Sequence, residues 1–223
     1  MELTASQKIA LEVLASSFLK NKFYWTGGTL LSYYYLHHRY SYDLDFFSEE
    51  KFSFNEIDQL VNEIKVKGNF KKVEFKKIYD RYEFLFIGKE SLRVEFVYYN
   101  HEKKTLRKRK KFLGVFIDSL EDIAANKLIA LLDRSEPKDV FDLYFVFTST
   151  KISPQRLIKL VEKKFGVLAS LADVWGRAVL IGEKMTEIEP LVLGDKDEKK
   201  AFFKKIKEYF EKNSKAYLDR YLK

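Results

Sequence analysis

The segment Gly27-Gly28-Thr29, followed by Asp43-Leu44-Asp45, constrains this chain more than any other feature. Phe23-Tyr24-Trp25 reads as a short strand, the glycine pair breaks it, Leu30 to His38 reads as a helix, and Asp43 to Phe47 reads as a second strand. A glycine turn between strand and helix lets the backbone approach an anion closely, and the first helical amides have no intrahelical partner. Thr29 adds a hydroxyl donor. Residues i and i+2 of a strand face the same way, so Asp43 and Asp45 set two carboxylates side by side among Leu44, Phe46 and Phe47. Such a pair calls for a compensating cation. A hard divalent ion such as Mg²⁺ takes oxygen ligands and bridges carboxylates to a triphosphate. The plainer alternatives are a tight turn with a helix cap at 27–29 and a solvent-facing strand end at 43–45.

Around this segment the pattern divides the chain near residue 118. Ile9, Leu11, Val13, Leu14, Phe18 and Leu19 mark a helix over 5–20. Ser53 with Glu56 forms a capping box for a helix carrying Phe54, Ile57, Leu60, Val61 and Ile64. From Lys71 the period becomes two. Val73, Phe75 and Ile78 mark one strand, and Tyr82 to Ile87 and Leu92 to Tyr99 mark two more joined as a hairpin at Gly88-Lys89-Glu90-Ser91. Val115-Phe116-Ile117 then closes the sheet. Beyond it Ser119 caps a helix to about Arg134, Pro137 and Ser153-Pro154 start others, and a strand pattern returns only near Leu191-Val192-Leu193. Glu198 to Leu222 places Phe202, Phe203, Ile206, Tyr209 and Phe210 on one stripe of a terminal helix. The expected class is α+β. A mixed sheet with flanking helices spans 1–117, and a helical domain spans 118–223 and contributes to the active-site cleft.

Composition narrows the chemistry. The 223 residues are 46% hydrophobic, enough for a sizeable core. Cysteine is absent, which excludes disulfides, zinc-thiolate sites and a cysteine nucleophile. No secretory leader and no apolar run of membrane-spanning length is visible, so the expectation is a soluble cytoplasmic protein. The net charge is +8. Between Lys103 and Lys111 seven of nine residues are basic, either a solvated loop or strand edge or a nucleic-acid contact.

A third carboxylate on a neighbouring strand would complete a metal site. Glu95, in Leu92-Arg93-Val94-Glu95-Phe96-Val97, is an acid inside an apolar strand, which is costly unless it is paired or binds metal. Glu83 ranks second. Arg39 and Ser41 lie just before the acids. Either they touch phosphate or orient Asp43, or they belong to a local turn with a salt bridge. His37 and His38 have no cysteine or third histidine nearby, so zinc is not expected there.

These motifs resemble the nucleotidyltransferase superfamily and, more narrowly, the AbiEii/AbiGii toxin family of type IV toxin–antitoxin systems. The likeness rests on Thr26-Gly27-Gly28-Thr29-Leu30 through Arg39-Tyr40-Ser41-Tyr42-Asp43-Leu44-Asp45-Phe46-Phe47, on Glu121-Asp122-Ile123-Ala124-Ala125-Asn126-Lys127, and on Lys138-Asp139-Val140-Phe141-Asp142-Leu143-Tyr144. It covers roughly 20–147. Lys138 stands where the family more often carries Arg, and Glu95 where Asp is more usual. The resemblance implies transfer of a nucleoside monophosphate from an NTP to an acceptor, with RNA (tRNA) favoured over a small molecule or a protein. It implies metal binding (Mg²⁺ or Mn²⁺) by Asp43 and Asp45, with Glu95 the third ligand. The nucleotide would lie against Gly27, Gly28, Thr29, Arg39 and Ser41. Lys127 would contact the triphosphate, Asp139 would act in catalysis, and an antitoxin would be the protein partner. Read from the residues alone, Lys127 could snorkel, Asp139 could cap the helix after Pro137, and Asp142 could pair with Lys138 or Arg134. A non-catalytic nucleotide-binding module is the alternative to an enzyme.

Overall fold

The structure, a computed structural model, describes residues 2–101 and 105–221; Lys103 and Lys104 of the basic run and Leu222 of the terminal helix lie outside them. The contacts gather the chain into two compact units, one of Met1–His37, Ser41–Glu102 and Arg107–Ser119, the other of His38–Tyr40, Lys103–Leu106 and Leu120–Lys223.

The first unit is built on a seven-stranded mixed sheet. Its strands are β1 (Tyr24–Thr26), β2 (Leu44–Ser48), β3 (Lys72–Ile78), β4 (Arg81–Ile87), β5 (Leu92–Tyr98), β6 (Lys110–Phe112) and β7 (Val115–Ile117), in the order β3-β4-β5-β2-β1-β7-β6. β1 pairs antiparallel with β2 and parallel with β7, while β2 runs parallel to β5. The hairpin read at Gly88–Ser91 joins β4 and β5 as antiparallel neighbours. The sheet's edge differs from expectation. Val115–Ile117 lies inside, beside β1, and the edge strand β6 comes from the basic run itself.

Strand alternation sorts the sheet's side chains. Leu44 and Phe46 of β2, Phe84 and Phe86 of β4, and Val94 and Phe96 of β5 are buried on one face. Phe96 meets Phe23, Phe46 and Phe84 at ring distances of 5.1, 5.5 and 6.1 Å. Helices α1 (Ala5–Ser16) and α3 (Phe54–Lys67) supply further apolar cover, Leu11, Leu14, Ile57, Leu60 and Ile64 being buried. Thr4–Gln7 and Ser53–Glu56 form capping boxes at their starts. The first helix ends at Ser16 and a 3₁₀ turn, Phe18–Asn21, takes the rest of the expected span.

The helix expected over Leu30–His38 takes another form. A short α2 (Gly27–Leu30) widens into a π-helical turn, Leu31–Leu36, and stops at His37, whose φ of 52° is left-handed.

The second unit holds α4 (Leu120–Asp133), α5 (Pro137–Ser149), α6 (Pro154–Phe165), α7 (Leu171–Gly182) and α8 (Lys196–Tyr221). Pro137 opens α5, and Ser153 caps α6 by accepting from Arg156 N–H. Phe203, Ile206 and Phe210 bury the stripe of α8, with Phe210 6.1 Å from the Trp175 ring. Leu191–Leu193 is not a strand. A 3₁₀ turn ends at Leu191, and one isolated bridge joins Val192 to Arg39. Among the described residues no helix is long and apolar enough to cross a membrane.

Candidate active site

The strand registers line up the acids. Thr26 is opposite Asp45, Asp45 opposite Glu95, and Glu95 opposite Glu83, so β1, β2, β5 and β4 carry one row across the face away from the Phe46–Phe96 core. Both sequence candidates for the third acid therefore lie in it, Glu95 next to Asp45 and Glu83 one strand further out. Asp43 immediately precedes β2, and Arg93, two residues before Glu95, donates to its Oδ2. Arg81 lies 3.2 Å from Glu95 Oε2.

Gly27 explains the placement of Asp45. Its φ is +79°, and a Cβ built there would fall 1.8 Å from Asp45 Oδ2. The missing side chain is thus the space that the carboxylate occupies, and the backbone angle is one that glycine adopts without cost. Gly28 lies in the first turn of α2, and the Leu31 N–H donates to the Gly27 and Gly28 carbonyls. The Thr29 hydroxyl is turned inward. It bonds the Ser41 hydroxyl at 2.9 Å and donates to the Asp43 carbonyl, so Thr29 and Ser41 hold the backbone that carries the acids.

Glu95 bears the strain of the row. It is 7% exposed, and burial first, then the neighbouring Asp45 charge, push its carboxyl up to about 7 against the pull of Arg81 and Arg93. The Thr26 hydroxyl, buried opposite Asp45, has no hydrogen-bond partner among the described residues. Crowded carboxylates that Arg81 and Arg93 offset only in part, beside an orphaned hydroxyl, make an all-oxygen donor set suited to a hard divalent cation. Among the described residues no three acidic or histidine side chains stand in a metal-holding group. Arg93 takes the place of a cation beside Asp43.

The remaining predicted residues lie in the helical unit, which includes residues 38–40. Arg39 pairs within this unit. It is buried and grips Asp142 from Nε (2.6 Å) and Nη2 (2.9 Å). Lys127 Nζ lies 2.8 Å from both Asp139 Oδ1 and Asp142 Oδ2. Arg134 Nε donates to Asp139 Oδ2 at 2.8 Å, and His38 Nε2 lies 2.7 Å from Asp142 Oδ1. Asp142 is thus the structural hub, bound to Arg39, Lys127 and His38 rather than to Lys138 or Arg134. Lys138 instead lies 3.9 Å from Glu136. Burial opposes every charge here, and pairing outweighs it for Lys127, Asp139 and Asp142 but not for His38. Lys127 is held above its usual pKa by Asp142 and Asp139, Asp139 below its own by Lys127 and Arg134, and Asp142 well below by Arg39 and Lys127. His38 is pushed down by burial despite Asp142. Asp139 sits in the first turn of α5, but its carboxylate serves Lys127 and Arg134.

Arg109, in the basic run, is no solvated lysine-type charge. It lies 3.4 Å over the Tyr24 ring and pairs with Asp118 and Glu49 at 2.8 and 2.7 Å.

A model of the nucleotidyl transferase AbiEii toxin family of type IV toxin–antitoxin systems matches residues 9–221. The chain belongs to that family. The AbiEii match spans both units, and so does the likeness to a curated relative, the uncharacterized protein aq_aa25 of Aquifex aeolicus (strain VF5). That relative is 28% identical, over 94% of this chain and 98% of its own. Two Helicobacter pylori structures share the fold. JHP933 aligns over 100% of both chains, with a TM-score of 0.58 and 20% identity. A candidate nucleotidyltransferase aligns over 95% of this chain and 94% of its own, with the same score and identity. The mixed sheet with its helices is accordingly a nucleotidyltransferase fold.

Sequence reasoning missed Arg93, Arg81 and Thr26. Arg93 had a signal, since it stands at i−2 to Glu95 and so on the same strand face.

Proposed function

We propose that this AbiEii-family chain transfers a nucleoside monophosphate from an NTP to an acceptor hydroxyl, releasing pyrophosphate, with Mg²⁺ or Mn²⁺ held by Asp43, Asp45 and Glu95. The observation that carries this reading is the acid row, in which Asp45 fills the space left by Gly27 and Glu95 lies buried beside it. When bound, the metal neutralises charge on the triphosphate and polarises it. Thr29 and Ser41 fix the Asp43 backbone, and the turn at Gly27-Gly28 is the proposed seat of the phosphates. For Lys127 we propose contact with the triphosphate, and for Asp139 orientation of the acceptor hydroxyl. The lowered pKa of Asp139 suits it to accept a hydrogen bond rather than to keep a proton.

The favoured acceptor is RNA, with tRNA first, because a charge of +8 draws polyanions. The biological role proposed is that of a cytoplasmic toxin restrained by a cognate antitoxin, as family membership suggests. A second reading, a nucleotide-binding module without transfer, is favoured by one observation, the ion pair that Arg93 makes with Asp43. Incubation with Mg²⁺, each labelled NTP and total tRNA separates them. Label on RNA supports transfer; retained nucleotide with no labelled RNA, protein or small molecule supports the module.

A further inference from the structure

We infer that Arg93 is the internal counter-ion of the acid row, competing with the divalent cation for Asp43 and released to bind the triphosphate when the metal enters. The inference rests on the proposed metal-dependent reading and adds a regulatory part to the same site. The β2–β5 register runs Leu44 to Val94 and Asp45 to Glu95, which sets Arg93 beside Asp43 one step earlier. Its guanidinium pairs with Asp43 and lies 3.9 Å from Glu83 and 4.0 Å from Glu95, and so stands among three acids, two of which, Asp43 and Glu95, are the proposed metal ligands. The Asp43 hydrogen bond is the first reason that its pKa is raised.

A plain cross-strand ion pair would satisfy the guanidinium, but this one leaves a donor over. Arg93 Nε is buried and has no hydrogen-bond partner among the described residues. The side chain as a whole is 37% exposed, so it can leave Asp43 without a buried charge being stranded. A planar fork of N–H donors freed beside an acid-bound cation suits phosphate oxygens, which it can grip at two points. The sequence of events is an exchange of partners. Asp43 passes from Arg93 to the metal, and Arg93 passes from Asp43 to the phosphate.

The test is Mn²⁺ binding to nucleotide-free protein, followed by electron paramagnetic resonance, with KM for NTP measured separately. Removing the competing charge-assisted bond by Arg93→Gln should tighten Mn²⁺ by about tenfold, while KM for NTP rises. Arg93→Lys restores a competing cation but not the fork, so Mn²⁺ affinity should return towards wild type with KM still raised. Arg93→Lys also covers the case in which the Gln variant fails to fold, since it must then show raised KM at near-normal Mn²⁺ affinity. Unchanged or weaker Mn²⁺ binding in Arg93→Gln, with binding lost in Asp45→Asn, would leave Arg93 a structural ion pair and overturn the inference alone. Mn²⁺ binding in wild type that is absent, or indifferent to Asp45→Asn, would remove the metal reading and this inference with it.

Discussion

Glu95→Gln should stabilise the metal-free protein, and only at neutral to alkaline pH. The Glu95 carboxyl is raised from an ordinary 4.5 to about 7. A folded-state pKa above the unfolded value means that the folded protein keeps a proton that the unfolded chain has lost. Stability therefore falls as pH rises from about 4.5 to about 7 and is level above that window. At about 1.4 kcal/mol per pH unit, the full penalty above pH 7 is about 3 kcal/mol. Glutamine cannot ionise and escapes it. The pull of Arg81 and Arg93 on the ionised carboxylate is already contained in that value. The net expectation is a variant about 3 kcal/mol more stable than wild type at pH 8 and no more stable at pH 4.5. The assay is chemical denaturation in EDTA across that range. Adding Mg²⁺ at pH 8 should raise the wild-type midpoint more than the variant's, since a cation relieves the same repulsion. Parallel stability curves for the two proteins across the range would refute the reasoning.

Other outcomes follow from the same geometry. Asp142→Ala leaves Arg39 and Lys127 buried without their shared carboxylate, and denaturation should show a loss of about 3–5 kcal/mol. Gly27→Ala forces a Cβ into the Asp45 carboxylate at φ +79°; transfer should fall to background while unfolding shows a loss of only about 1–2 kcal/mol. Equal loss of fold and activity would count against the cradle. Lys110→Gln with Lys111→Gln removes two charges from the sheet edge, and the salt dependence of tRNA binding should flatten by a slope of about 2. An unchanged slope would place the RNA elsewhere.

Local chemistry was legible in the sequence and long-range pairing was not. The Gly27-Gly28 break, the same-face relation of Asp43 and Asp45, and the oddity of an acid at Glu95 all follow from spacing of a few residues. Capping boxes and Pro137 likewise declare themselves locally. Register across strands is set by the whole sheet, so neither the Thr26–Asp45–Glu95–Glu83 row nor the Arg93–Asp43 pair could be read directly. Arg39 shows the limit best. Its nearness to the acids suggested a shared role, yet its partner Asp142 lies 103 residues away. The basic run divides: Lys110 and Lys111 lie on an edge strand, one of the readings that the sequence allowed, while Arg109 is consumed by Asp118, Glu49 and Tyr24, which spacing does not reveal.

The central claim is that the Asp45-containing row transfers a nucleotide to RNA. Its most direct measurement is label transfer from α-³²P NTPs to purified tRNA with Mg²⁺, comparing wild type with Asp45→Asn of matched stability. The account predicts labelled tRNA with at least one NTP, abolished by EDTA and by the substitution. Labelled tRNA that persists in Asp45→Asn, or no labelled tRNA with any NTP in wild type, would contradict it.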